Sequence, residues 1–173
     1  MAVIFVQFEP RPGDVVVTTS YKSGTTWTQQ ILLALLRGGT EAMGELMQLS
    51  PWVDARFHMP KQEMAERLRT LPSRRFVKSH LPLDCLPWFP EVKYVVVGRD
   101  PRDVFMSLWN HYGSYTDLAY GALNDTPGRV GPPLPRCPDD LRAVFREWNT
   151  RGWFEWESEG YPFWSSLHPR AAA

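Results

Sequence analysis

Short apolar runs alternate with longer amphipathic stretches along this chain. Asp14 to Thr19 carries Val15-Val16-Val17, Arg74 to Ser79 carries Phe76-Val77, and Glu91 to Val97 carries Tyr94-Val95-Val96-Val97. Consecutive apolar residues over so short a length fit buried strands of a parallel sheet better than helices. Between these runs the spacing changes. Thr25 to Arg37 places Ile31, Leu32, Leu35 and Leu36 on a packing face, and Gly38-Gly39 supplies a stop. Pro60 to Leu71 puts Met64, Leu68 and Leu71 on one side of a helix and charges on the other. Pro101 to about Tyr112 reads as a helix, and another starts near Pro138-Asp139 and includes Leu141, Val144, Phe145 and Trp148. Glu41 to Phe57 has a weaker pattern and predicts a short helix. Leu81 to Pro90 reads as a loop rich in Pro and Trp. Asn124 to Pro138, with five Pro and two Gly, reads as another, a candidate lid. Trp153 to Leu167 is aromatic and irregular. Strands alternating with helices predict an α/β fold, a parallel β-sheet flanked by helices.

Composition narrows the classes. A length of 173 residues suits one domain, 1–173, with a real core. Lys plus Arg balances Asp plus Glu at 19 each, so no global positive field is available for nucleic acid or an anionic membrane. Cys85 and Cys137 lack the spacing of a zinc site or a disulfide framework, which fits a reducing compartment. No long apolar stretch or leader pattern is present, so the expectation is a cytoplasmic protein without stable membrane insertion. Eight Trp is a high count, and most are expected in the core or in pocket walls.

The chemistry concentrates where predicted strands end. Ser20-Tyr21-Lys22-Ser23-Gly24-Thr25-Thr26-Trp27 joins the first strand to the first helix. The first N–H groups of a helix lack internal partners and carry the positive end of its dipole, so such a turn suits a phosphate. Lys22 adds a full charge, Ser23, Thr25 and Thr26 add hydroxyls, and Gly24 lets the backbone approach closely. The segment is not a Walker loop, because the ending Gly-Lys-Ser/Thr is absent. Arg99 follows the third strand, where a planar guanidinium can hold two phosphate oxygens. Asp100 and Pro101 suit a helix start, and Ser107 falls roughly two turns into that helix. His80 follows the second strand. Ligands of open α/β sheets bind at these carboxyl ends. His58, His111 and His168 read as structural.

Lys-Ser-Gly-Thr-Thr-Trp at 22–27 resembles the 5′-phosphosulfate loop of the sulfotransferases that use 3′-phosphoadenosine 5′-phosphosulfate (PAPS). Arg99 with Ser107 resembles that family's 3′-phosphate motif, and Lys78-Ser79-His80-Leu81-Pro82 resembles its Lys-Thr-His-Leu-Pro segment. The resemblance implies the family's P-loop-like fold. It also implies sulfuryl transfer from PAPS to a hydroxyl or amine of a small, partly apolar acceptor, leaving PAP and needing no metal. On that reading His80, Lys22 and Ser107 are catalytic. Lys22, Ser23, Gly24, Thr25, Thr26, Trp27, Arg99 and Ser107 bind the nucleotide, and Lys78 and His80 face the acceptor. Trp27 matches a position that packs on adenine.

Three departures stand out. Ser20-Tyr21 replaces the family's Tyr-Pro, and Asp100 replaces an Asn, which is tolerable if its carboxylate turns to the helix cap. The resemblance covers about residues 14–167, the family's first half, with no later Arg-Lys-Gly segment. A domain incomplete at its C-terminus is therefore expected, with a homo-oligomer as one way to cover exposed apolar surface. A catalytically inactive PAP-binding relative is the alternative function, and a P-loop kinase a more distant one.

Overall fold

The computed structural model describes residues 8–38, 43–55, 60–81, 86–125, 127 and 133–151. Three strands and six helices are present among them: β1 Val15–Thr19, α1 Thr25–Arg37, α2 Met43–Leu49, α3 Lys61–Thr70, β2 Phe76–Ser79, β3 Lys93–Val97, α4 Pro101–Gly113, α5 Asp117–Asn124 and α6 Leu141–Arg151. They form two compact units that divide between Gly98 and Arg99.

The first unit holds the sheet, parallel throughout in the order β2-β1-β3. β1 is the centre. Val15 pairs with Phe76 on one side and Lys93 on the other, and Val16 with Val77 and Tyr94. All five residues of β1 are buried, which explains its continuous apolar run. Its side chains alternate between two cores. Val15 and Phe76 pack with Leu33 of α1 and Leu46 of α2. Val16 and Val77 pack with Met64 and Leu68 of α3, Val53, Leu71 and Leu81. The sheet is thus layered between α1 and α2 on one face and α3 on the other.

The base of the sheet carries a buried ion pair that the apolar pattern did not announce. Asp14 and Arg75, each about 1 % exposed, bond through both carboxylate oxygens. Arg75 also donates to the carbonyls of Leu68 and Glu9, and its guanidinium lies 5.2 Å from the Phe8 ring centroid. Arg11 N–H donates to Asp14 Oδ2. Full use of these donors is what makes a buried charge pair tolerable.

β3 differs from expectation. It is parallel but only partly buried, and Val96 is 50 % exposed. Among the described residues it pairs with β1 on one side only, at the edge of the sheet, and α1 packs over β1 and β2.

The second unit is helical. Val104, Phe105, Leu108 and Tyr112 of α4 are buried with Tyr120 of α5 and Trp148 of α6. Phe105 meets Phe145 and Trp148 with ring centroids 4.9 and 5.4 Å apart. α5 had no periodic signal strong enough to foresee. Thr116 caps it by accepting from Ala119 N–H, and Gly121 interrupts its pattern. α6 begins later than expected because Asp140 Oδ1 accepts from the N–H groups of Arg142 and Ala143. The described part of the Pro-rich loop is anchored. Asn124 bonds both ways with Leu134, Cys137 N–H donates to Tyr120 Oη, and Arg136 pairs with Asp117. Trp153, Trp156, Trp164, Phe57, His58, Cys85 and His168 lie outside the described residues.

Candidate functional site

The loop after β1 turns sharply. Lys22 and Gly24 have φ of 60° and 104°, and Gly24 is the N-cap of α1. No side chain caps that helix, so its first N–H groups face outward from a left-handed residue that only glycine adopts without strain. The space around Gly24 is open. Its conformation, rather than crowding, is what requires glycine. Ser23 Oγ is buried and bonds to nothing among the described residues. A buried orphan hydroxyl beside uncapped helix amides is a donor set awaiting an acceptor. Those residues fit a phosphate.

Thr19, the last residue of β1, links this loop to His80. Its hydroxyl lies 2.5 Å from Thr25 Oγ1, and its carbonyl lies 2.9 Å from His80 Nδ1. A carbonyl only accepts, so Nδ1 carries the proton and Nε2 keeps its lone pair. The imidazole stacks on Tyr21 with centroids 4.6 Å apart and meets Trp52 edge-on at 4.9 Å. Burial pushes its pKa down to about 4, the Thr19 hydrogen bond opposes that, and Lys78 and Lys22 push it further down. His80 is therefore a neutral base at pH 7.

Trp52 and Asp54 are the site residues that no sequence pattern announced in this role. Trp52 forms an isolated parallel bridge to Lys78, with Lys78 N–H bonded to Pro51 O and Val53 N–H to Lys78 O. This bridge runs 51–54 along the outer edge of β2. It brings Lys78 Nζ to 4.6 Å from the Trp52 ring centroid. It also brings Asp54 Oδ2 to 3.0 Å from the His80 main-chain N. Burial raises the Asp54 pKa to about 6, against the hydrogen bond from His80. Burial lowers that of Lys78, with Asp54 opposing.

The structure thus brings Lys22, Ser23, Gly24, Thr25, Thr26, Lys78 and His80 to one end of the sheet. Trp27 opens α1 and is 80 % exposed, so it is not a core residue, and neither is Trp88 at 73 %. Arg99 and Ser107 belong to the second unit. Arg99 directly precedes α4, with its Nε 3.9 Å from Asp103 Oδ2. Ser107 is half-buried within that helix. Asp100 does turn to the cap, accepting from the Arg102 N–H and guanidinium. These bonds hold its carboxyl down at about 2. Among the described residues, no cluster of three or more His, Cys, Asp or Glu is placed to hold a metal, and no helix is long and apolar enough to cross a membrane.

The first unit is thus a parallel α/β sheet whose carboxyl end gathers an uncapped helix N-terminus, a neutral histidine and two lysines, a set that suits a phosphate. A family description, the sulfotransferase domain, matches residues 12–158, and the chain belongs to that family. It is 33% identical over 147 residues to a glycolipid sulfotransferase of Mycobacterium tuberculosis, an alignment spanning 80% of this chain and 44% of the relative. To mouse sulfotransferase 1B1 it is 32% identical over 128 residues, 70% of this chain and 41% of that protein. The chain spans less than half the length of these relatives. The crystal structure of retinol dehydratase with retinol and PAP superposes with a TM-score of 0.56 at 22% identity. It covers 92% of this chain and 50% of that one, a likeness of fold.

Proposed function

We propose that this chain carries the donor site and general base of a PAPS-dependent sulfotransferase, acting on a hydroxyl or amine of a small, partly apolar acceptor. The observation that carries the reading is the tie through Thr19. One residue joins the phosphate-type loop, through Thr25, to a histidine whose Nε2 is the free base. His80 Nε2 takes the acceptor's proton as the acceptor oxygen bonds to sulfur. The sulfur's bond to the bridging oxygen breaks in line, and Lys22 stabilises the charge left on the departing phosphate. Thr25, Thr26, Ser23 and the α1 amides hold the 5′-phosphate, and Trp27 offers its ring to the base. Arg99 and Ser107 hold the 3′-phosphate, which distinguishes PAPS from ATP. A base with a pKa near 4 is weak, and the negative charge of the donor beside Lys22 and Lys78 would raise it.

Two units of one sulfotransferase-like domain, in a reducing cytoplasm, fit this reading. Acceptor chemistry is supported by the relatives. One is named for glycolipids, and the retinol dehydratase structures hold retinol or androsterone. The test is calorimetric titration with PAP, with adenosine 5′-phosphosulfate as the control lacking a 3′-phosphate. Micromolar PAP binding, weakened at least tenfold in Arg99→Ala, is expected. His80→Ala should keep PAP affinity and lose at least about a hundredfold in turnover. PAP binding with no turnover in the unaltered chain would identify an inactive relative, and no PAP binding by the folded chain would overturn the reading.

A further inference from the structure

We propose that Asp54 is the positioning residue for the His80 imidazole, holding its main chain and balancing its charge. This rests on the reading of His80 as general base.

β2 ends at Ser79, so the N–H of His80 falls just beyond the paired residues of the strand. Asp54 Oδ2 takes it at 3.0 Å. Thr19 O takes the ring Nδ1–H at 2.9 Å. Two bonds from two different segments therefore fix the residue, one at the backbone and one at the ring. Tyr21 and Trp52 restrict the ring's tilt between them. Asp54 is itself placed by the short pairing of 51–53 on Lys78, which makes its reach to His80 a consequence of backbone geometry.

Burial works against a carboxylate here even with the Trp52 and Ser79 side chains helping to lower its pKa, and a neutral side chain would hold one N–H at lower cost. The charge has a use in this surrounding. The charged and titratable groups around His80 are Lys78 from β2, Lys22 and the Tyr21 phenol from the loop after β1, and Asp54. Both lysines oppose an imidazolium. Asp54 is the carboxylate that offsets them when Nε2 receives the acceptor's proton. It touches no reacting atom; besides its bond to His80 it supports the charge of Lys78.

The experiment compares Asp54→Asn, which keeps an acceptor without the charge, with Asp54→Ala, which removes both. PAPS with a simple phenol as acceptor gives kcat and KM, calorimetry gives PAP affinity, and nuclear magnetic resonance follows the His80 amide and ring. Asp54→Asn should lower kcat about tenfold with PAP affinity and the PAPS KM within twofold. The kcat deficit should be full at pH 7 and above, where the Asp54 carboxyl is ionised, and should shrink below pH 6, where that carboxyl takes up a proton. The His80 amide should exchange with solvent at least tenfold faster in Asp54→Ala and unchanged in Asp54→Asn. Unchanged kcat and pH profile in both variants, or a kcat loss matched by an equal loss of PAP affinity, would overturn the proposal. If the unaltered chain turns nothing over, the resonance arm still decides. Faster His80 amide exchange in Asp54→Ala but not in Asp54→Asn, with a His80 ring signal that shifts near pH 6 in the unaltered chain as Asp54 titrates and does not in Asp54→Asn, supports Asp54 while the sulfotransfer reading fails alone. No change in either signal rejects Asp54.

Discussion

At Gly24 and Lys22 the chain turns through left-handed conformations that open the first amides of α1. A Cβ at Gly24 meets open space but an unfavourable φ of 104°. Gly24→Ala should therefore cost about 1–2 kcal/mol of stability, read by urea unfolding, and weaken PAP binding as the turn relaxes. The Asp54–His80 neighbourhood makes a different prediction. Asp54 rises from 3.8 to about 6 in the fold, so its contribution to stability grows as pH falls from 6 toward 4. His80 falls from 6.5 to about 4, so its contribution is complete above pH 6.5 and is lost over the same acid range. Each shift corresponds to on the order of 3 kcal/mol, and the signs oppose. Between pH 6 and 4 the two nearly cancel. Relative to the unaltered chain, Asp54→Asn should lose stability more steeply on acidification, and His80→Gln should gain it. Urea midpoints across that range check both. Lys22, Ser23, Gly24 and His80 were legible as residues because their types and strand-end positions carry chemistry. Asp54 was not, because an acid in an aperiodic stretch gains meaning only from a partner far along the chain.

Elements were legible where one local signal sufficed. β1, α1, α3 and α4 lie close to their expected bounds because an apolar run, a helical stripe or a cap marks each. β3 was read correctly in direction and wrongly in burial, since Tyr94-Val95-Val96-Val97 looks the same at a sheet's edge as at its centre. α5 escaped notice because eight residues with an internal glycine are held by Thr116 and by Tyr120 packing rather than by a stripe. Asp14 and Arg75 stand at the starts of the predicted strands Asp14 to Thr19 and Arg74 to Ser79 and looked like ordinary boundary charges, yet they tie β1 to β2 beneath the cores. Arg75→Leu leaves Asp14 buried without its main partner. We expect a loss of about 3–5 kcal/mol in urea unfolding, whereas replacing both residues with apolar ones should cost less than that single change.

Across the molecule, the donor-type loop and the base share the first unit, while Arg99 and Ser107 sit in the second. PAP at a hundredfold above its Kd should stabilise the chain by about 2.7 kcal/mol, visible as a raised urea midpoint. Hydrogen exchange should show protection at residues 19–27 and also at Arg99 to Ser107 if both phosphates are held. Protection of the first stretch alone would mean that the 3′-phosphate is not gripped.

The central place of β1 also governs how the chain must be made. β1 precedes both of its partners along the chain, and these, Phe76–Ser79 and Lys93–Val97, are synthesised much later. Until they emerge, a strand buried at every position has nothing to pair with, and Val15-Val16-Val17 stays open to solvent and to other nascent chains. Parallel pairing over such separations closes long loops before any ladder forms, which slows folding. Yield in cells should therefore depend on translation speed between residue 20 and residue 97 and on the supply of chaperones that shield early strands.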